Sequence, residues 1–240
     1  MSLDNPRLAM NLLAFDTSTE FLSAAVARGG TVVAEEETTG GARASAALVP
    51  ALQGLLARAG LKFNELDAIV FGRGPGSFTG LRTACAVAQG LGFGSGVAVL
   101  GIETLLAVAE DARQRSGATQ VVAMLDARMD EVYAAHYVFD GGAWRREGEI
   151  VLARPESVVV PAGWSIAGNV IGAYGAVLPS HAPRIEARPS AAAMLRIAPG
   201  LVAAGAAQDA ALAAPVYIRD KVAQTTEERA MARANRPTPA

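Results

Sequence analysis

Cysteine and histidine are nearly missing from this chain of 240 residues, which holds one cysteine, Cys85, and two histidines, His136 and His181. A single cysteine excludes an internal disulfide and any multi-cysteine zinc site, and the histidines lack the HExxH or paired spacing of a metal centre. Cys85 lies in an apolar helical pattern and reads as a buried structural thiol, His136 as a strand residue and His181 as a loop residue. No lysine lies between Lys62 and Lys221, so no Walker A loop can be spelled there. Cationic excess is missing too: 21 Lys and Arg against 23 Asp and Glu leave a net charge of −2. Phosphate neutralisation supplies most nucleic-acid affinity, so this chain alone is not expected to bind a nucleic acid tightly. Long apolar runs are also lacking. The best membrane-span candidate, Ala84 to Ile102, is broken by Gln89, Ser95 and five glycines and reads as helix, turn and buried strand. Residues 1–9 contain Asp4, Asn5 and Pro6 instead of the apolar stretch of a targeting segment, and Met10 offers an alternative start. A cytoplasmic, reducing setting is the expectation.

Glycine, by contrast, is concentrated in one place. Phe71-Gly-Arg-Gly-Pro-Gly-Ser-Phe-Thr-Gly-Leu-Arg82 sits between an apolar strand pattern ending at Phe71 and a helix pattern from Thr83. Such a junction brings backbone close to something else. The dinucleotide fingerprint fails, because Ser77 and Thr79 stand where a third glycine belongs, and Pro75 spoils a nucleophile elbow at Ser77. Gly72, Gly74, Gly76 and Gly80 are therefore read as a structural or interface turn, with Gly76 expected at positive φ.

The order of elements is duplicated. Asn11 to Asp16 reads as an apolar strand ending in an acid, followed by strands over 20–28 and 31–37 joined by Gly29-Gly30. The same order returns with Val121 to Asp126 and strands over 131–139 and 143–151 joined by Asp140-Gly141-Gly142. Helices over 44–59 and after the glycine turn, a strand over 97–102 and a helix over 103–115 fill the interval. This is the order of the two-lobe actin-like, ribonuclease H-like α/β fold. The expected division is a first lobe over 10–102, a second, reduced lobe over 103–220 and a polar tail over 221–240. In that tail Thr225 and Glu228 are spaced as a capping box before Arg229, Arg233 and Arg236.

In the actin-like fold the two hairpins face each other across a nucleotide cleft. Asp16, Thr17, Ser18 and Asp126 are thus the candidate phosphate and magnesium residues. Against competent hydrolysis, Ser18 replaces the usual glycine two places after the acid, and Ala167 to Gly175 is the second lobe's sole glycine cluster. Turn and cap roles for Asp16 and its neighbours stay open beside the cleft reading.

The strings LLAFDTST, GRGPGSFTGLR, MLDARMDEVYAAHY and PVYIRDKVAQT together resemble the TsaB family, over about Met10 to Thr226. The resemblance implies a noncatalytic dimerisation and scaffold subunit. Its catalytic partner would be a TsaD-type protein, and with a TsaE-type ATPase the assembly transfers a threonylcarbamoyl group to the adenosine at position 37 of certain tRNAs. It further implies a homodimer when isolated, no independently bound cofactor, ATP and magnesium only in the complex, and contact with tRNA only through the complex. TsaD-like proteins bind metal through two histidines in the helix after the first hairpin. Here that helix reads Ala44-Ser-Ala-Ala-Leu-Val-Pro50, with Ala44 where TsaB-like chains often keep one histidine. The alternatives are an ATP-dependent small-molecule kinase and a peptidase.

Two helices carry the partner expectation. Leu48, Leu52, Leu55 and Leu56 form a core stripe, and the other side presents Ala46, Pro50, Gln53 and Ala57. In the next helix Leu81, Cys85 and Ala88 form the core stripe opposite Ala86, Gly90 and Gly94. A solvated face ordinarily carries charge; these rows are small and uncharged, as at a contact site.

Overall fold

A computed structural model describes residues 9–39 and 44–219, so the expected capping box at Thr225 and Glu228, and Arg229, Arg233 and Arg236 after it, lie outside the described residues. Continuous apolar runs, buried on both faces at their centres, build two five-stranded sheets. The first contains β1 (Leu12–Asp16), β2 (Phe21–Arg28), β3 (Thr31–Thr39), β4 (Ala68–Gly74) and β5 (Val99–Glu103), in the order β3-β2-β1-β4-β5. The second contains β6 (Gln120–Arg128), β7 (Glu131–Asp140), β8 (Ala143–Ala153), β9 (Ser165–Gly168) and β10 (Arg184–Glu186), in the order β8-β7-β6-β9-β10. Both orders are the same when read from each first strand. In each sheet the first three strands are antiparallel, and the fourth runs parallel to the first. This duplicated, two-lobe α/β arrangement is the actin-like fold.

The helices are α1 (Ala44–Ala59), α2 (Phe78–Ser95), α3 (Thr104–Ser116), α4 (Ile171–Tyr174) and α5 (Ala191–Ala203). α1 and α2 cover one face of the first sheet, where Leu48, Leu52, Leu55, Leu56 and Ala88 meet Leu13, Phe15 and Phe71. Its other face is covered by α5 through Met194, Leu195 and Ala198. α3 covers the second sheet through Leu105, Val108 and Ala112 and lies along α5. Among the described residues the outer face of the second sheet has no long helix: the position of α1 is taken by a single turn at Pro155–Ser157, and that of α2 by four-residue α4. Loop residues Val158, Val160, Trp164 and Leu178 close that side instead.

Chain order and packing part company after β10. α5 and the segment behind it, which the sequence division assigns to the second lobe, pack on the first: Gln208 bridges Val99, and the Val216 N–H donates to the Arg73 carbonyl at 2.7 Å. Two buried or half-buried acids tie the lobes. Glu103 accepts from Arg146 at 2.6 Å and from the Tyr137 hydroxyl at 2.9 Å. Glu110 accepts from Arg113 at 2.8 Å, from Arg196 of α5 at 2.9 Å and from the Trp144 indole of β8 at 2.9 Å. Burial pushes the Glu110 carboxyl up, but the donors from Arg113, Trp144 and Arg196 outweigh it and hold the group below the usual range. Among the described residues no helix is long and apolar enough to cross a membrane.

Removing Glu110 would leave two guanidiniums and an indole N–H at the α3–α5–β8 junction without their acceptor. Glu110→Ala is expected to cost about 2–4 kcal/mol in urea unfolding. Because its folded value is lowered, this stabilisation is present at neutral pH and is lost as pH falls through that value. A loss below about 0.5 kcal/mol would show that the junction does not depend on this carboxylate.

Candidate functional site

The glycine run folds differently from its sequence pattern. β4 continues to Gly74 and α2 begins at Phe78, so only Pro75, Gly76 and Ser77 make the turn. Gly72 and Gly74 stay in the strand because they pair with Ile102 and Glu103 of β5, and Gly80 lies inside α2. Gly72, Gly76 and Gly80 lie against Asp16 at the end of β1 and Thr17-Ser18 of the β1–β2 loop, whereas Gly74 lies against the Val216 carbonyl. A Cβ at Gly72 would overlap the Asp16 carboxylate, one at Gly80 would overlap the Thr17 carbonyl oxygen, and one at Gly76 would stand 2.6 Å from the Ser18 carbonyl oxygen. The Ser77 N–H donates to that same oxygen at 2.7 Å. Gly76 is thus required by close approach and not by the positive φ expected of it; the left-handed residue is Gly74, at φ 118°.

The same contact decides the fate of the predicted phosphate residues. Asp16 is 1% exposed; its Oδ1 accepts from the Ser18 N–H at 2.9 Å and the Ser18 hydroxyl at 2.6 Å, while buried Oδ2 has no partner. Burial pushes its carboxyl up to about 6, against the lowering effect of the two Ser18 bonds. The Thr17 hydroxyl donates to the Gly80 carbonyl at 2.7 Å, and the Thr19 hydroxyl accepts from the Phe21 N–H at 3.2 Å. The three hydroxyls and one carboxylate oxygen that the sequence offers to magnesium and phosphate are spent on local structure, and the other carboxylate oxygen is buried against Gly72.

A cleft of about 460 Å³ does open between the lobes, but Asp16 and Thr17 do not line it. Ser18, Glu20, Gly76, Ser77 and Phe78 form its first-lobe wall, and Asp126, Arg128, Met129 and Asn169 its second-lobe wall. Asp126 accepts from the Arg128 N–H at 2.8 Å and the Tyr174 hydroxyl at 3.0 Å, and pairs with the Arg128 guanidinium at 3.1 Å. The two strand-end acids therefore do not face each other across open space. Of the four candidates, the structure brings Ser18 and Asp126 to one cleft and seals Asp16 and Thr17 beneath the glycines.

Two features of the cleft escaped the sequence reading. Arg128, Met129 and Asp130 all take left-handed backbone, at φ 62°, 59° and 59°. Val216, Tyr217, Ile218 and Arg219 form a third wall. Neither has a local propensity signal, although both fall within MLDARMDEVYAAHY and PVYIRDKVAQT. The remaining reactive side chains are occupied elsewhere: the Cys85 thiol donates to the Ala213 carbonyl at 3.2 Å, and ring nitrogens of His136 and His181 bond the Val159 and Val160 carbonyls at 2.8 Å and 3.2 Å.

A protein-family model described as TsaD, tRNA N6-adenosine threonylcarbamoyltransferase, matches residues 39–169. The tRNA threonylcarbamoyladenosine biosynthesis protein TsaB of Escherichia coli is 36% identical over 227 residues, spanning 89% of this chain and 96% of that protein. The chain belongs to the TsaB family. The Haemophilus influenzae TsaB protein is 43% identical over 129 residues, 54% of each chain. Among solved structures, YeaZ from Pseudomonas aeruginosa superposes with a TM-score of 0.81 at 38% identity, covering 87% of this chain and 99% of that one. Another, an uncharacterised protein described as similar to peptidase YEAZ from the same organism, gives 0.82 at 38% identity. The two-lobe fold of this TsaB-family chain is thus shared along nearly its whole described length.

Two expectations follow from the glycine contact. Gly80→Ala should destabilise by about 2–4 kcal/mol, because its methyl meets backbone that cannot rotate away. In the same helix Gly90→Ala, which has open space around it, should stabilise by about 0.5–1 kcal/mol. Equal effects in thermal unfolding would contradict the contact. Asp16 sets a pH dependence of opposite sign to that of Glu110. Its folded value is raised, so stability is full at low pH and falls by roughly 3 kcal/mol as pH climbs from about 4 to about 7. Asp16→Asn should flatten that slope in urea unfolding; an unchanged slope would show that the carboxylate ionises freely.

Proposed function

We propose that this chain is the noncatalytic scaffold subunit of the bacterial assembly that makes threonylcarbamoyladenosine in tRNA. It supports a TsaD-type catalytic subunit, with a TsaE-type ATPase as the third component. Family membership supports the pathway, and the conserved two-lobe shape supports a role beside a protein of related fold.

The observation that carries the scaffold role is the outward face of the two helices. Ala46, Pro50, Gln53 and Ala57 on α1, and Ala86, Gly90 and Gly94 on neighbouring α2, are all exposed, and Phe93 beside them is 67% exposed. Gly90 and Gly94 have no heavy atom within 4 Å of where a Cβ would stand, so another backbone can approach closely there. An uncharged, small-residue face of this kind on a folded lobe suits the close packing of helices from a partner of the same architecture. The same face serves a homodimer when the partner is absent.

The filled mouth of the first hairpin supports the rest of the proposal. With Asp16 and Thr17 sealed beneath Gly72 and Gly80, neither that carboxylate nor that hydroxyl reaches the cleft, which supports a chain that binds no nucleotide by itself, with ATP and magnesium entering only in the complex. A kinase needs that mouth open. A peptidase needs a nucleophile and base in contact, whereas Cys85 and both histidines bond main-chain carbonyls. With a net charge of −2, contact with tRNA is made through the complex.

Gly90→Arg tests the face. The side chain projects into open space, so circular dichroism and melting temperature should match the wild type, while affinity for the TsaD-type protein and self-association both fall at least about tenfold. A folded variant that binds its partner and itself normally would move the interface off α2.

A further inference from the structure

The segment Ala213–Arg219 has no regular secondary structure, yet it is tied down at Ala213, Val216, Tyr217, Ile218 and Arg219. The Ala213 carbonyl accepts from Cys85 and Gln89 of α2 at 3.2 Å and 3.0 Å. Val216 donates to the Arg73 carbonyl at 2.7 Å. The Tyr217 ring lies 5.6 Å from the Phe78 ring, its hydroxyl accepts from Arg82 at 3.0 Å, and the Arg82 guanidinium sits 3.7 Å over Phe78. From Ile218, which packs against the core of the second sheet, the partners change lobe. Arg219 donates to the Ala127 carbonyl at 3.1 Å and the Arg128 carbonyl at 3.5 Å, and pairs with Glu131 at 2.8 Å.

Those last bonds land on the turn between β6 and β7, where three successive residues other than glycine are left-handed. Such backbone is tolerated by Asp130 but disfavoured for Arg128 and Met129, and a run of three that begins before the two-residue turn calls for support from surrounding contacts. The guanidinium of Arg219, bonded to carbonyls on one flank and to Glu131 on the other, is the contact that spans the turn. The start of α2 is the opposite anchor of the same strap.

We infer that Ala213–Arg219 is a latch that couples the amino-terminal end of α2 to the Arg128–Asp130 turn, with Arg219 as the positioning residue that imposes the left-handed backbone. The turn forms one wall of the interlobe cleft, so the latch makes the shape of that wall depend on how α2 is held. Its value to the assembly rests on α2 being the partner-facing helix: a protein seated on α2 would press on Arg82 and Tyr217 and thereby tighten or release the turn. The coupling itself is a property of the isolated chain, and its test uses no partner, so its failure is separate from failure of the scaffold reading.

Hydrogen exchange followed by mass spectrometry on the full chain tests it. Arg219→Ala should speed exchange in peptides covering 126–132 by about tenfold or more, with β1, β4 and the centre of α2 unchanged. Tyr217→Ala touches no atom of the turn and should give the same local signature; Tyr217→Phe, which loses only the Arg82 bond and keeps the ring, should give a smaller one. Acceleration with Arg219→Ala but not with either Tyr217 variant would make Arg219 a local clamp and overturn the coupling. No acceleration with any variant would show that the turn holds itself and would overturn both parts. Should Tyr217→Ala speed exchange throughout the chain, the comparison of Tyr217→Phe with wild type decides.

Discussion

Two stretches of main chain meet at van der Waals distance where the β1–β2 loop lies against the end of β4 and the first turn of α2, and most of this protein's character follows from that contact. Glycine at 72, 76 and 80 is what lets Asp16, Thr17 and Ser18 come so near. The approach is sealed by the Ser77 N–H on the Ser18 carbonyl and the Thr17 hydroxyl on the Gly80 carbonyl. It fixes the direction in which α2 leaves the sheet and so which face of α2 looks outward. It also keeps the Asp16 carboxyl out of the interlobe cleft, and burial there pushes that group up to about 6.

The second lobe repeats the sheet of the first without its outer helices. A sheet covered on one side by α3 and on the other by loops has less apolar surface to hold it, and its attachments are correspondingly dense: Glu103 to Arg146 and Tyr137, Glu110 to Trp144 and Arg196, Arg219 to Glu131. The crossing of α5 back to the first sheet makes both lobes contribute to one layered core, with α3 and α5 in its centre. Cooperative unfolding of the two lobes is the natural consequence of sharing that layer.

Periodicity made the sheets and the long helices legible. The apolar runs in 20–28 and 131–139, and the Leu48, Leu52, Leu55, Leu56 stripe, map onto β2, β7 and α1 with ends shifted by a residue or so, because apolar burial sets those patterns. The duplication was legible because it repeats element order as well as composition. The ends of β4 and α2 were not, since glycine has neither strand nor helix signature and its place was decided by pairing with β5 and by the β1–β2 loop. The candidate cleft was half legible. Sequence located Asp16 and Asp126 at matching strand ends, but only the packing of Gly72 shows that one is sealed and the other lines the cleft. The latch was not legible at all, because Tyr217 and Arg219 act through partners more than 80 residues away in sequence.

The central claim is that the glycine contact has replaced nucleotide binding with a partner surface. Calorimetric titration of ATP and magnesium tests this most directly, first into the isolated chain and then into its mixture with the TsaD-type protein. No binding heat is expected from the isolated chain, and saturable heat from the mixture. Stoichiometric binding to the isolated chain, lost with a substitution in the Asp16–Ser18 loop, would contradict the claim.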